Sequence, residues 1–205
     1  MSQSIKQLIE ARVSTGRYAA ERELSEQQVT ELVRLATRAP SAYNLQNWTF
    51  VAVRSAAAKA RLQALAYGQS QVVDAPVTFI ICGTLGAYEG LARALQPALQ
   101  RGILEPALVD GWVAAATDAH RGNPQLQRDE ALRSASLAAM TLMLAAQGMG
   151  LASGAMSGFD AAGVAREFGL GANELPVMLV TAGYPAAGNW PQKPRKPLTE
   201  VLRFA

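Results

Sequence analysis

RAPSAYNLQNWTF, Arg38 to Phe50, joins two dissimilar pieces of chain. Ahead of it, Val29, Leu32, Val33 and Ala36 repeat at helical spacing, and Ser25 with Gln28 fits a capping box at the start of that helix. Pro40 ends the helix, because proline disfavours helical geometry in the residue before it. Behind it, Trp48 to Val53 (WTFVAV) is β-branched and aromatic and reads as a strand. A plain connection needs about two to six residues and little side-chain specificity. This one carries Ser41, Asn44 and Gln46. No Gly-x-Ser-x-Gly elbow surrounds Ser41, so it reads as a turn hydroxyl or a ligand donor rather than a nucleophile. Asn44 and Gln46 alternate, so an extended backbone would turn both amides to one side. Each amide offers a donor and an acceptor, which suits the mixed polarity of a heterocycle edge. Tyr43 and Trp48 read first as packing residues.

Working outward, a first helix is expected over Ser4 to Val13. Ser55 caps an Ala-rich helix that Gly68 can end, and Pro76 to Cys82 is a buried strand. Leu91 to Gln100 reads as helix. Pro106 to His120 is a helix with proline at its favoured first position, and Asn123-Pro124 is the breaker after it. Arg128 to Gln147 is the longest helix, apolar on nearly every side from Leu137 onward. GMGLASGAMSGFD is loop-like with short strand potential. Asp160 caps a short helix ending near Gly169, and Val177 to Tyr184 is a third core strand. The tail, Pro185 to Ala205, is Pro-rich and basic with little to bury. Helices and strands mix without a regular βαβ alternation, which favours α+β over a doubly wound sheet.

The 205 residues suit one domain, residues 1–205, and half of them are apolar, enough for a sizeable core. The net charge of +3 comes without a dense basic run, so no nucleic-acid partner is expected. Cys82 is the only cysteine and His120 the only histidine. That excludes an intrachain disulfide, a cysteine zinc cluster and a His-rich metal site. The N-terminal stretch is amphipathic and lacks a signal peptide's apolar core, and the apolar run around Leu137 to Ala146 is too short to span a bilayer. A cytoplasmic protein with no membrane partner is the expectation.

Two glycine groups invite a dinucleotide-binding reading. Gly148, Gly150 and Gly154 are spaced GxGxxxG and follow a helix, whereas the fingerprint follows a strand and opens a helix. GTLGAYEG follows a strand but has the wrong spacing. Both read as turn glycines. In the tail, Lys193 and Arg195 flank Pro194 and could grip one anion, such as a phosphate, with Arg12 and Ser14 adding donors. Trp112 and His120 fall on roughly one helical face and could wall a substrate pocket, although local packing explains them as well.

Taken together, these pieces resemble the nitroreductase family of FMN-dependent, NAD(P)H-linked enzymes. RAPSAYNLQNW looks like the family's most distinctive segment. ARVSTGRY is similar to its opening Arg-x-Ser segment, YGQSQVVDAPV to its second flavin-edge segment and GLASGAMSGFD to its glycine loop. LVTAGYP followed by KPRKPL is similar to its closing strand and basic tail. Five such segments in order cover most of the chain. The resemblance implies a three-layer sandwich with a central mixed β-sheet flanked by helices. It implies a homodimer with FMN at the subunit interface and a C-terminal tail wrapping the partner. Arg12, Ser14, Lys193 and Arg195 would hold the ribityl phosphate region. Pro40, Ser41, Ala42 and Asn44, followed by Gln46, would reach the other subunit's flavin. Gln69 or Gln71 would meet the ring's polar edge. Ala155, Met156, Ser157 and Gly158 would line the ring and offer a backbone N–H near N5. Gly16 is a departure, since many relatives carry Lys or Arg there, near N1 and C2=O.

The implied activity is reduction of nitroaromatics, quinones or related electron-poor acceptors by NADH or NADPH, through bound flavin. A flavin does the redox chemistry itself and needs placement and water exclusion from the protein. That agrees with the missing Rossmann pattern and the lack of an acid–base dyad. The alternatives are a specialised flavin enzyme (flavin reductase, ene reductase or dehalogenase) on the same scaffold, or a non-catalytic flavin-binding protein.

Overall fold

The computed structural model describes residues 4–205. Helix α1 (Ile5–Ala11) starts at Ser4, whose side chain and that of Gln7 form a capping box. Helix α2 (Glu26–Ala36) starts the same way at Ser25 and Gln28. Strand β1 (Trp48–Val53), helices α3 (Ala56–Leu65) and α4 (Gln71–Asp74), and strand β2 (Val77–Thr84) follow. Next come α5 (Leu91–Gln100), α6 (Pro106–His120), α7 (Pro124–Gly148), β3 (Ala152–Met156), α8 (Ala161–Glu167), β4 (Glu174–Gly183) and α9 (Leu198–Val201).

Four details depart from the sequence reading. Helix α7 begins at Pro124, not Arg128. Asn123 caps it by accepting from Leu126 N at 3.1 Å, so the Asn-Pro pair that breaks α6 also opens α7. The four-residue α4 has no strong sequence signal. The glycine-rich segment after α7 becomes a full strand, β3, because every residue pairs with β4. Strand β4 starts at Glu174, ahead of the expected Val177.

The sheet order is β1-β2-β4-β3, and every pairing of these strands is antiparallel. Among the described residues the parallel component of the sheet is one isolated bridge, Ser14 with Ser153. Pro176 sits in a central strand without breaking it. The register slips there, with Ile81 facing Met178 and Cys82 facing Pro176, so the residue lacking an N–H falls at a bulge.

Alternation along the central strands builds three layers. Val77, Phe79, Ile81, Val180 and Ala182 face Leu32 and Ala36 of α2 and Ala135, Ala139 and Leu142 of α7. Ile80, Cys82 and Leu179 face the other way, onto Leu62 of α3 and Val164 of α8. Helix α7 crosses β2 so closely that a Cβ at Gly83 would lie 2.4 Å from the Ala131 carbonyl oxygen. A third cluster, Leu45, Leu91, Leu95, Val109 and Ala116, forms a helical lobe of α5 and α6 beside the start of β1. No helix among the described residues is long and apolar enough to cross a membrane.

Candidate functional site

The segment Ser14–Gly16 runs along the outer edge of β3. Thr15 N donates to Ser153 O at 3.0 Å, and Ser14 makes the parallel bridge to Ser153. The approach depends on Gly154, where a Cβ would lie 2.3 Å from the Thr15 carbonyl oxygen. Beneath, the Tyr18 hydroxyl is 2.8 Å from Thr181 Oγ1, which donates to Gly154 O at 3.1 Å. Burial pushes the Tyr18 hydroxyl far above its ordinary value, despite the Thr181 hydrogen bond, so it stays neutral and structural.

The tail supplies the facing wall. Asn189 Oδ1 accepts from Gly16 N at 2.9 Å and Arg17 N at 3.0 Å, while its Nδ2 donates to Arg17 O at 2.8 Å and Ala186 O at 2.9 Å. Gln192 Nε2 donates to Arg12 O at 3.0 Å, and Arg195 donates to Gln192 Oε1 at 3.0 Å and Lys193 O at 2.8 Å. Lys193 Nζ lies 4.9 Å from the centre of the Trp190 ring. Gln71 closes a third side, donating to Met156 Sδ and to Gln69 Oε1, each at 3.1 Å, and Gln69 donates to Gly158 O at 2.8 Å.

These walls enclose a cleft of about 280 Å³. Ser14, Gly16, Gln71, Ala155, Met156 and Lys193, all expected from the sequence, line it. Arg12, Arg195, Gln69, Ser157 and Gly158 do not line it, although Gln69 and Arg195 are hydrogen-bonded to the lining residues Gln71 and Lys193. Thr15, Gly154, Gly188, Asn189 and Trp190 also line it, and sequence reasoning missed them; Arg17, next to Gly16, lines it too. The available signal was Gly188-Asn189, a turn pair in a tail read as having little to bury. Arg17 and Lys193 bring positive charge to the cleft, and no Asp or Glu lines it. Such a lining can receive a ligand that carries an anionic group and hydrogen-bonding edges.

Pro40, Ser41, Ala42, Asn44 and Gln46 lie elsewhere. They precede β1, at the opposite edge of the sheet from β3, three strand spacings or about 14 Å across. One chain therefore does not bring the two groups together. Pro40, Asn44 and Gln46 line a separate open cleft with Arg38 and Arg101. The backbone here is not extended, contrary to the alternation argument. Tyr43, Asn44 and Gln46 have φ of 52°, 59° and 48°, three of the four non-glycine residues with positive φ among those described. Ser41 Oγ accepts from Gln46 N at 2.9 Å and holds the turn. Such left-handed residues cost about 1–3 kcal/mol each and gather at functional sites. Leu45 and Tyr43 anchor the turn in the α5–α6 lobe, where Tyr43 meets Trp112 edge-on at 6.2 Å between ring centres. Trp112 thus accompanies this turn and not the cleft. His120 faces the interior, 4% exposed and stacked on Tyr88. Among the described residues no cluster of His, Cys, Asp or Glu is arranged to hold a metal ion.

A profile of the nitroreductase family matches residues 9–184. The chain belongs to the nitroreductase family. YodC of Bacillus subtilis (strain 168), provisionally named an NAD(P)H nitroreductase, is 34% identical over 194 residues, covering 95% of each chain. A Thermus thermophilus NADH dehydrogenase is 34% identical over 176 residues, 84% of this chain and 82% of its own. A provisionally named nitroreductase from Exiguobacterium sibiricum, solved in complex with FMN, superposes with a TM-score of 0.91 at 26% identity over 100% of both chains. The α+β nitroreductase fold and an oxidoreductase assignment follow from this membership.

Proposed function

We propose that the protein, as one unit spanning residues 1–205, is an FMN-dependent NAD(P)H oxidoreductase that works as a homodimer in the cytoplasm. The observation that carries this reading is the separation of the two binding groups. The β3 cleft and the left-handed turn before β1 sit at opposite sheet edges, so a second copy is needed to set one against the other. A cleft of about 280 Å³ is also at the small end for a cofactor pocket, as half a site would be.

The residues fit the cofactor. In this reading Lys193 and Arg195, with Arg12 and Ser14, hold the phosphate. Gln71, backed by Gln69, meets the polar edge of the ring, and Ala155 to Gly158 lie along it and offer the N–H near N5. Pro40, Ser41, Ala42, Asn44 and Gln46 come from the partner, and the tail folds over it. Arg17 stands beside Gly16 and supplies the positive charge that Gly16 lacks. FMN, when bound, supplies two-electron transfer from NADH or NADPH to a nitroaromatic, quinone or related acceptor. The chain's own part is placement, charge and exclusion of water. Anaerobic stopped-flow tests this. Each nicotinamide should bleach the protein-bound flavin, and electron-poor acceptors should restore its colour. A protein that purifies colourless and takes up no FMN would overturn the proposal.

A further inference from the structure

A small cavity of about 10 Å³ lies where the end of α6, the first turns of α7 and the start of β1 meet. Its lining includes Asn47, Tyr88, His120, Gln127 and Glu130. Two of these side chains end in buried polar atoms without a protein partner, Asn47 Oδ1 and His120 Nε2. The two residues are 3% and 4% exposed. Buried polar atoms are rarely left unpaired, so both require an account.

The chemistry of the two atoms is the same. His120 Nδ1 lies 2.8 Å from the Ala116 carbonyl oxygen. A carbonyl can only accept, so Nδ1 carries a ring proton, and in that neutral tautomer Nε2 is a bare acceptor. Asn47 Oδ1 is an acceptor too. Neither can satisfy the other, and the other side chains do not resolve the shortage. Gln127 Nε2 donates to His120 O at 2.8 Å, Glu130 is itself an acceptor paired with Arg133, and no N–H or O–H of the lining, Tyr88 and Thr84 included, makes a hydrogen bond to either atom. What fits is a molecule with two donors and the bulk of one water, and the cavity is at the threshold for one water.

We propose that a single buried water occupies this cavity, donating one hydrogen bond to His120 Nε2 and the other to Asn47 Oδ1. The water joins the end of α6 to the residue directly after Gln46. His120 is then a positioning residue for the strained turn from Tyr43 to Gln46, acting through Asn47. This inference concerns the free architecture of the chain and stands whether or not the flavin reading does.

His120 is the only histidine, so labelling with ¹⁵N-histidine reports on one ring. In the protein as purified, at neutral pH, Nδ1 should be protonated and Nε2 bare, and the ring C–H should show cross-relaxation to a long-lived water. An Nε2–H tautomer, a doubly protonated ring or absence of any water contact would each overturn the proposal. Asn47→Leu should shift the Nε2 resonance, because it removes the water's other partner. Asn47→Leu and His120→Phe should lower the denaturation midpoint by less together than the sum of their separate effects. Strictly additive losses would mean that no molecule is shared.

Discussion

Replacing Gly154 by alanine adds one methyl group in the place where β3 and the Ser14–Gly16 segment are closest. The new Cβ would lie 2.3 Å from the Thr15 carbonyl oxygen and 3.2 Å from Thr181 Oγ1. Backbone must therefore move by about 1 Å, and overpacking of this kind costs about 1–3 kcal/mol. The 3.0 Å hydrogen bond from Thr15 N to Ser153 O does not survive such a shift, which adds about 0.5–1.5 kcal/mol. The sum, about 1.5–4.5 kcal/mol, lowers the melting temperature by roughly 3–18 °C in a chain of this length. Gly16→Ala is the control. Its Cβ would meet nothing within 4 Å and its φ is not left-handed, so it should be neutral or stabilising by up to about 1 kcal/mol. Thermal and urea denaturation at saturating FMN measure both variants, and fluorescence titration measures FMN affinity. Gly154→Ala should lose affinity along with stability, since the displaced segment is a wall of the cleft. If Gly154→Ala melts within 1 °C of the parent, the account of why glycine stands there is wrong.

Asn189→Ala removes four hydrogen bonds, three that fasten the tail to Gly16 and Arg17 and one to Ala186 within the tail. All are near the surface, so stability should fall by only about 1 kcal/mol. FMN should dissociate about tenfold faster, and an unchanged off-rate would show that the tail does not gate the cleft. Asn44→Ala should weaken FMN retention in the dimer with little change in far-UV circular dichroism. Unfolding with FMN affinity intact until melting would make the turn purely structural. Burial pushes the Cys82 thiol from 9.0 to about 11. The folded chain holds this proton more tightly, so the stability it gives is complete below pH 9 and fades as pH climbs towards 11. Thiol reagents at pH 8 should modify Cys82 only after unfolding, and Cys82→Ala should flatten the alkaline decline. Rapid labelling of the native protein would contradict its burial.

Elements whose limits are set by their own side chains were legible in the sequence. Ser25 with Gln28, Ser55, Asp160 and Pro106 each place a helix start within a residue or so. Strand β3 is legible only as a short strand potential in a loop-like segment, because its Ala, Gly and Ser have little β preference and its extended state comes from pairing with β4. The same division holds in the site. Lys193, Gln71 and the Ala155–Gly158 stretch stand out as segments, whereas Asn189 acts on Gly16 across 173 residues and leaves no local trace. The turn before β1 misled in the other direction. Alternation of Asn44 and Gln46 suggested an extended backbone, but tertiary packing of Leu45 and Tyr43 holds both residues in the left-handed region.

That turn has a wider consequence. A hexapeptide copied from Ser41 to Gln46 would not keep this shape in isolation, since its three left-handed residues are individually unfavourable. Beyond the Ser41 hydrogen bond to Gln46, the instructions for its shape are written in α5 and α6, which pack against Leu45 and Tyr43. Grafting the turn onto another scaffold would require bringing those helices with it. Conversely, exchanging apolar side chains in α5 or α6 is a route to retuning what the turn presents without touching any residue of it.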